Sequence, residues 1–220
     1  MSLEKLITID GPSASGKSSV SRLVAQNLGW KWVSTGAFYR GLALTSIKEG
    51  VDPSNKAKLL ELADSDLWRV EMTPGDTEVL YKNENVTEAI AGEEVGAVAS
   101  QVSQIPEVRQ ALLERQRRCF KPEVGLVAEG RDCGTVVFPQ SAVKIYLTAS
   151  PALRAMRRST EEGVDQQKTQ ELQKVRDSQD SQRKVAPLKE ADGALKIDSS
   201  FLSLEEVVQE VIKYYQSKRS

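Results

Sequence analysis

The stretch Leu6-Ile7-Thr8-Ile9-Asp10-Gly11-Pro12-Ser13-Ala14-Ser15-Gly16-Lys17-Ser18 sets the architecture of the chain. Leu6–Ile9 is a short β-branched run broken at once by Asp10-Gly11-Pro12, so it reads as a buried strand ending in a loop. From Lys17 the apolar period lengthens. Val20, Leu23, Val24 and Leu28 recur at helical spacing, and Gly29 stops the element. Between strand and helix, Gly11-x-x-x-x-Gly16-Lys17-Ser18 matches in full the loop that cradles a nucleoside triphosphate. The glycines let backbone N–H groups turn inward around the β-phosphate, and Lys17 neutralises the β/γ oxygens. The Ser18 hydroxyl is the expected Mg²⁺ ligand, and the helix that follows presents its positive end to the phosphates. Gly11, Pro12, Ser13, Ala14, Ser15, Gly16, Lys17, Ser18 and Ser19 are therefore the expected ATP-binding residues, with Mg²⁺ as cofactor. An ordinary Gly/Ser turn is the rival reading, and the strand before and helix after argue against it.

Later segments repeat the opening rhythm. Val124–Ala128 reads as a strand leading into Glu129-Gly130-Arg131-Asp132, and Val143–Leu147 as one leading into a turn at Ser150-Pro151. Ala194–Ile197 is a shorter candidate. The last element has a capping box, Ser203 with Glu206, and then Val207, Val208, Val211, Ile212 and Tyr215 on one helical face. Buried strands interleaved with amphipathic helices predict a parallel sheet covered on both faces. Two stretches break the pattern. Trp68–Met72 and Thr77–Tyr81 alternate about Thr73-Pro74-Gly75-Asp76, which predicts a β-hairpin in an inserted subdomain. Residues 151–189 are polar and poor in large apolar groups, with Arg176, Asp180 and Arg183 spaced to share one helix face.

Composition narrows the chemistry. The 220 residues are 40% hydrophobic and 28% charged, with a formal net charge of −1. That is the balance of a globular protein, and it points to no nucleic-acid polymer or anionic membrane as partner. The two cysteines, Cys119 and Cys133, have no patterned spacing and read as reduced thiols. There is no histidine. Ser-His-Asp and Cys-His nucleophiles and histidine metal sites are therefore excluded, and chemistry must run on carboxylates, Lys, Arg, hydroxyls and a bound metal. The short N-terminal apolar run is not a signal sequence, and a cytoplasmic location is expected.

The loop identifies a donor site and leaves the acceptor open. No Asn-Lys-x-Asp segment follows a strand, so guanine recognition of the GTPase kind is not indicated. Arg40, Arg131, Arg176 and Arg183 instead stand where a second phosphate could sit. Phosphoryl transfer relies mainly on positioning and charge neutralisation, and several arginines without histidine suit a phosphorylated acceptor.

Four blocks then carry a resemblance. Ile7–Pro12 running into the loop, Ser34-Thr35-Gly36-Ala37-Phe38-Tyr39-Arg40, Glu129-Gly130-Arg131-Asp132-Cys133-Gly134-Thr135-Val136-Val137-Phe138-Pro139, and Arg176–Arg183 with Val185-Ala186-Pro187-Leu188 resemble bacterial cytidylate kinases. The order is the family's, and the blocks span nearly the whole chain. The resemblance implies an α/β, P-loop NTPase-type three-layer fold with a parallel sheet, an inserted subdomain that binds the nucleoside monophosphate, and a lid. The expected division is 1–33 core, 34–103 insertion, 104–150 core, 151–189 lid and 190–220 core.

The resemblance also implies roles. Thr35, Arg40, Arg131 and Arg183 would hold the CMP phosphate; Ser100, Arg109 and Asp132 would read cytosine; Arg176 and Asp180 would reach the sugar. Lys17, Arg131 and Arg183 would be catalytic. Cytosine shows an amino donor beside N3 and O2 acceptors, which a carboxylate and a guanidinium complement. Each residue has another role open to it. Thr35 could be a turn residue, Arg109 a surface arginine on a helix, and Asp132 a helix cap. Arg176, Asp180 and Arg183 could form an ion-pair row. Arg154, Arg157 and Arg158 read as solvated, with a donor-phosphate role as the alternative. The expected activity is ATP:CMP/dCMP phosphotransfer by a monomer. A UMP- or shikimate-type kinase and a P-loop ATPase switch are the rivals.

Overall fold

The computed structural model describes residues 4–163 and 165–218. The expected segments 1–33, 151–189 and 190–220 therefore each include positions outside the described residues. A parallel sheet of five strands forms the centre, in the order β2-β6-β1-β7-β8. Its strands are β1 (Leu6–Asp10), β2 (Lys31–Ser34), β6 (Leu126–Gly130), β7 (Val143–Thr148) and β8 (Leu195–Asp198). β1 lies between β6 and β7, pairing Leu6 with Leu126 and Ile7 with Val143, and is buried along its whole length. This is why it carries a continuous apolar run.

Alternation along β1 divides the core into two layers. Ile7 and Ile9 pack with Val20 and Val24 of α1 (Lys17–Leu28) and with Val207, Val211 and Tyr215 of α8 (Leu204–Ser217). Leu6 faces the other way, into a cluster with Phe38 and Leu42 of α2 (Gly36–Lys48), Leu59 of α3 (Lys56–Asp64), and Val108 and Leu112 of α5 (Pro106–Arg117). The capping box of α8 forms as expected, with Ser203 and Glu206 bonded reciprocally.

The hairpin forms as the alternation predicts. β3 (Trp68–Met72) and β4 (Thr77–Tyr81) pair antiparallel, with β5 (Glu84–Asn85) completing a three-stranded sheet. It rests on α2, and α4 (Glu93–Val102) closes a small core of its own around Ala43, Leu44, Val79, Ile90 and Val95. The polar stretch becomes two helices, α6 (Pro151–Glu162) and α7 (Gln166–Gln182).

Two expectations need correction. The strand expected at Val124–Ala128 begins at Leu126 and runs on to Gly130. Gly125 has φ +89° and backs directly onto the Trp30 indole, where an added Cβ would lie 2.6 Å from the ring. The chain must turn there before it can extend. Ser150-Pro151 is not a free turn but the start of α6, with Ser150 accepting from the Leu153 N–H and Pro151 in the first helical turn.

Candidate active site

The loop leaves β1 at a point where only glycine fits. Gly11 has φ +156°, and a Cβ there would lie 1.9 Å from the Leu147 carbonyl oxygen of β7. The loop then closes on itself. Lys17 Nζ donates to the Pro12 carbonyl at 2.6 Å, with Ser15 Oγ at 3.5 Å. Burial pulls this ammonium down to about 7; the Arg131 charge adds to the effect, and Glu129, Asp10 and Asp177 oppose it. At the start of α1, the Ser18 hydroxyl donates to Glu129 Oε1 at 3.1 Å, with the Glu129 side chain arriving from β6.

A cavity of about 310 Å³ opens beside the loop. Thr35, Arg40, Ser100, Arg109, Arg131, Asp132, Arg176, Asp180 and Arg183 all line it, together with Lys17 and Ser18. Arg109 and Asp132, from α5 and from the turn after β6, meet at 2.5 Å with 7% and 6% of their surface exposed. The Arg109 guanidinium also stands 5.1 Å from the Tyr39 ring centroid, whose hydroxyl burial pushes up to about 12. The Asp132 carboxylate accepts from no N–H of the helical turn it precedes, so its side chain is not acting as a cap. Arg109 is no solvated surface residue either. Thr35 Oγ1 donates to the Glu129 carbonyl at 2.9 Å across the sheet edge. Ser100 Oγ donates to Gln179 Oε1 at 3.1 Å, spanning from α4 to α7.

Asp180 of α7 ties that helix to the turn after β6. Its Oδ2 accepts from Arg131 Nε at 2.8 Å, and Oδ1 pairs with Arg183 Nη2 at 3.2 Å. That Nη2 is buried and has no well-directed hydrogen-bond acceptor in the protein. Burial lowers Arg183 from its ordinary value, with Asp180 resisting. For Arg131 burial acts in the same direction, but Asp180, Glu129 and Asp177 outweigh it and raise the group. A half-buried and a buried guanidinium group, Arg131 and Arg183, thus share one carboxylate, an arrangement that can take up an additional anion. Arg40 donates to the carbonyls of Ile90 and Gly92, and its Nη2 lies beside the Cα of Gly96 with that of Arg176.

The arginines after Ser150 are not solvated as a group. Arg154 is 7% exposed and donates to the Ser13 carbonyl at 3.1 Å and to Asp177 Oδ2 at 2.6 Å. Asp177 Oδ1 in turn accepts from the Ser13 N–H at 3.4 Å. Arg157 donates to Ser199 Oγ and its carbonyl, and Ser199 Oγ reaches the Ser15 carbonyl at 3.2 Å. Arg158 lines the cavity of about 310 Å³ beside the loop. Beyond Ser15, Gly16 and Ser19 lies a smaller cavity of about 190 Å³, walled by Arg157, Leu202 and Leu204.

Sequence reasoning gave no role to Glu129, Asp10, Asp177 or Ser199. Glu129 and Asp10 carry a signal: each is a carboxylate at the C-terminal end of a buried strand, where α/β folds place ligands. Asp177 and Ser199 carry none, because their partners lie at 164 and 184 residues' separation.

A phosphate loop facing a second chamber lined by arginines defines a P-loop phosphotransferase with donor and acceptor sites in one chain. Within that class, the chain belongs to the cytidylate kinase family, which it matches over residues 7–217. It is 51% identical to a cytidylate kinase of Bdellovibrio bacteriovorus over 213 residues, 97% of this chain and 98% of that protein. It is 45% identical to one from Pseudomonas aeruginosa, covering 95% and 94%. Among solved structures, a gluconokinase from Sinorhizobium meliloti 1021 shares the fold at TM-score 0.53 and 14% identity, over 99% of this chain and 94% of that one.

Proposed function

We propose that this chain transfers the γ-phosphoryl group of ATP to CMP or dCMP, giving CDP or dCDP. The observation that carries the reading is the buried Arg109–Asp132 pair facing the same cavity as Lys17 and Ser18. Two charges held out of water need a partner that repays desolvation, and a cytosine edge does so. Its amino group donates to Asp132 while Arg109 donates to N3 or O2; uracil would set a carbonyl against Asp132.

In this reading Lys17 leaves the Pro12 carbonyl for the β/γ oxygens of ATP. Thr35, Arg40, Arg131 and Arg183 hold the acceptor phosphate, and Arg176 and Asp180 the sugar. An acceptor phosphate oxygen attacks the γ-phosphorus, the bond to the β–γ bridging oxygen breaks, and ADP leaves. The attacking oxygen is already anionic, so no histidine base is required. Lys17, Arg131 and Arg183 neutralise the charge spread over the transferring group. The purine end of the donor fits the smaller cavity beside Arg157.

Mg²⁺ fits this site as a nucleotide-bound ion. Ser18 Oγ and the adjacent Glu129 carboxylate are hard oxygen donors, and among the described residues no group of three or more acidic or thiol side chains could cage a metal alone. Held by Ser18 and Glu129 together with the nucleotide, Mg²⁺ would supply charge neutralisation for the transferring phosphoryl group.

We assign residues 34–103 to acceptor binding and 151–189 to a lid whose closure excludes water. We take the active unit to be a monomer. No helix among the described residues is long and apolar enough to cross a membrane. A coupled ADP assay over a panel of nucleoside monophosphates tests the reading. CMP and dCMP should lead; equal rates with UMP would remove base reading by Asp132.

A further inference from the structure

Asp10 is a buried carboxylate that the reaction above leaves without a task. Alternation along β1 turns Ile7 and Ile9 toward α1 and α8, and puts Leu6, Thr8 and Asp10 on the face that meets the turn after β6. There both Asp10 oxygens are engaged. Oδ1 accepts from the Cys133 N–H at 2.8 Å and Oδ2 from the Gly134 N–H at 2.7 Å. These residues directly follow Asp132. They open a π-helical turn, Cys133–Val137, in which the N–H groups of Val136 and Val137 share the Asp132 carbonyl at 2.8 and 3.1 Å. Single π turns are uncommon and collect at functional sites. This one is held from outside, by Asp10.

The packing leaves little freedom. A Cβ on Gly134 would lie 2.9 Å from Thr8 Oγ1 and 3.3 Å from Asp10 Oδ2. On the main-chain side, the residue after Asp10 is Gly11, where the phosphate loop begins. One residue therefore holds the donor loop through its backbone and the acceptor turn through its side chain. We infer that Asp10 is a positioning residue that sets Asp132, and with it the cytosine-reading pair, at a defined distance from the phosphate loop. Keeping a carboxylate there has a cost. Burial pushes Asp10 up to about 6 and Asp132 adds to this, while the Gly134 and Cys133 N–H bonds pull the other way. Lys17, Cys133 and Tyr146 are the other titratable groups that feel its charge.

The inference rests on the CMP reading, and the test separates the two. Asp10→Asn is isosteric, but its amide keeps one acceptor and turns a donor against the second N–H. KM for CMP should rise about tenfold, with KM for ATP held within about twofold and the folded state retained. A rise in KM for CMP below about threefold, or an equal rise for both substrates, overturns the positioning role. Gly134→Ala displaces the same turn from its other side and should produce the same split; it serves if the Asn variant does not fold. Asp132→Ala is the control. If it leaves the CMP-over-UMP preference intact, the CMP reading fails. If it abolishes that preference while Asp10→Asn and Gly134→Ala leave the split unmoved, only the positioning role fails.

Discussion

Arg131 on the turn after β6 and Asp180 on α7 meet at 2.8 Å, with side chains 26% and 19% exposed. The same carboxylate pairs with Arg183. An anion already stands between the two guanidinium groups proposed to hold the acceptor phosphate, so substrate has a preformed pair to enter.

Arg183→Ala tests that pair. The Asp180 charge keeps Arg131 as partner, so the melting temperature should move by only a few degrees, as for about 1 kcal/mol in a domain of this size. Turnover should fall about a hundredfold or more, the loss expected for an arginine that stabilises a transferring phosphoryl group. Steady-state kinetics beside a thermal melt separate the effects; an unaffected rate would remove Arg183 from the mechanism.

Asp132→Asn should cut kcat/KM for CMP by roughly ten- to a hundredfold, the value of one well-made base contact at about 1–3 kcal/mol. Selectivity over UMP should collapse, since an amide can donate to the uracil carbonyl. The variant should also melt earlier, because Arg109 is left buried without its counter-charge. Competition between CMP and UMP in one reaction gives the ratio directly.

Lys17 predicts a proton linkage. In the free protein its pKa is about 7, depressed mainly by burial. Bound triphosphate favours the charged form and raises it again. At pH 8 the free enzyme is therefore mostly neutral at Lys17, and ATP binding should take up close to one proton; below pH 7 the uptake should fade. Calorimetry in buffers of different ionisation enthalpy measures this, and Lys17→Arg should abolish it.

The Arg154 contacts tie α6 and α7 to the phosphate loop. Arg154→Met should free Ser13 and Asp177 from their shared partner. Hydrogen exchange of α6 and α7 should accelerate, while β1 and β6 keep their protection.

Gly125→Ala places a methyl group 2.6 Å from the Trp30 indole at φ +89°. A loss of about 2–3 kcal/mol is expected from strain and overpacking together, with the rate at 25 °C retained. Chemical denaturation gives the value.

How far the molecule was legible depends on the range of each signal. Lys17–Leu28, the hairpin at 68–81 and the Ser203–Glu206 box are local patterns, and each formed where its residues predict. Val124 is apolar and reads as the start of a strand, whereas Trp30, far off in sequence, decides that Gly125 must turn and that β6 starts at Leu126. Arg154 looked solvated because a polar helix carries no record of what its charges will meet. Its partner Asp177 stands 23 residues away, and Ser13 is 141 away.

The sequence by itself determined the phosphate loop and its flanking strand and helix, since that chemistry needs particular residues at fixed short spacing. It also confined the chemistry to arginine, lysine, carboxylate, hydroxyl and metal by containing no histidine. Only the tertiary structure decided which charges pair: Arg109 with Asp132, Asp180 with Arg131, and Asp10 with the turn after β6. The physical reason is that periodicity encodes which face of an element is buried, whereas the partner of a buried charge is chosen by the packing of elements distant in the chain.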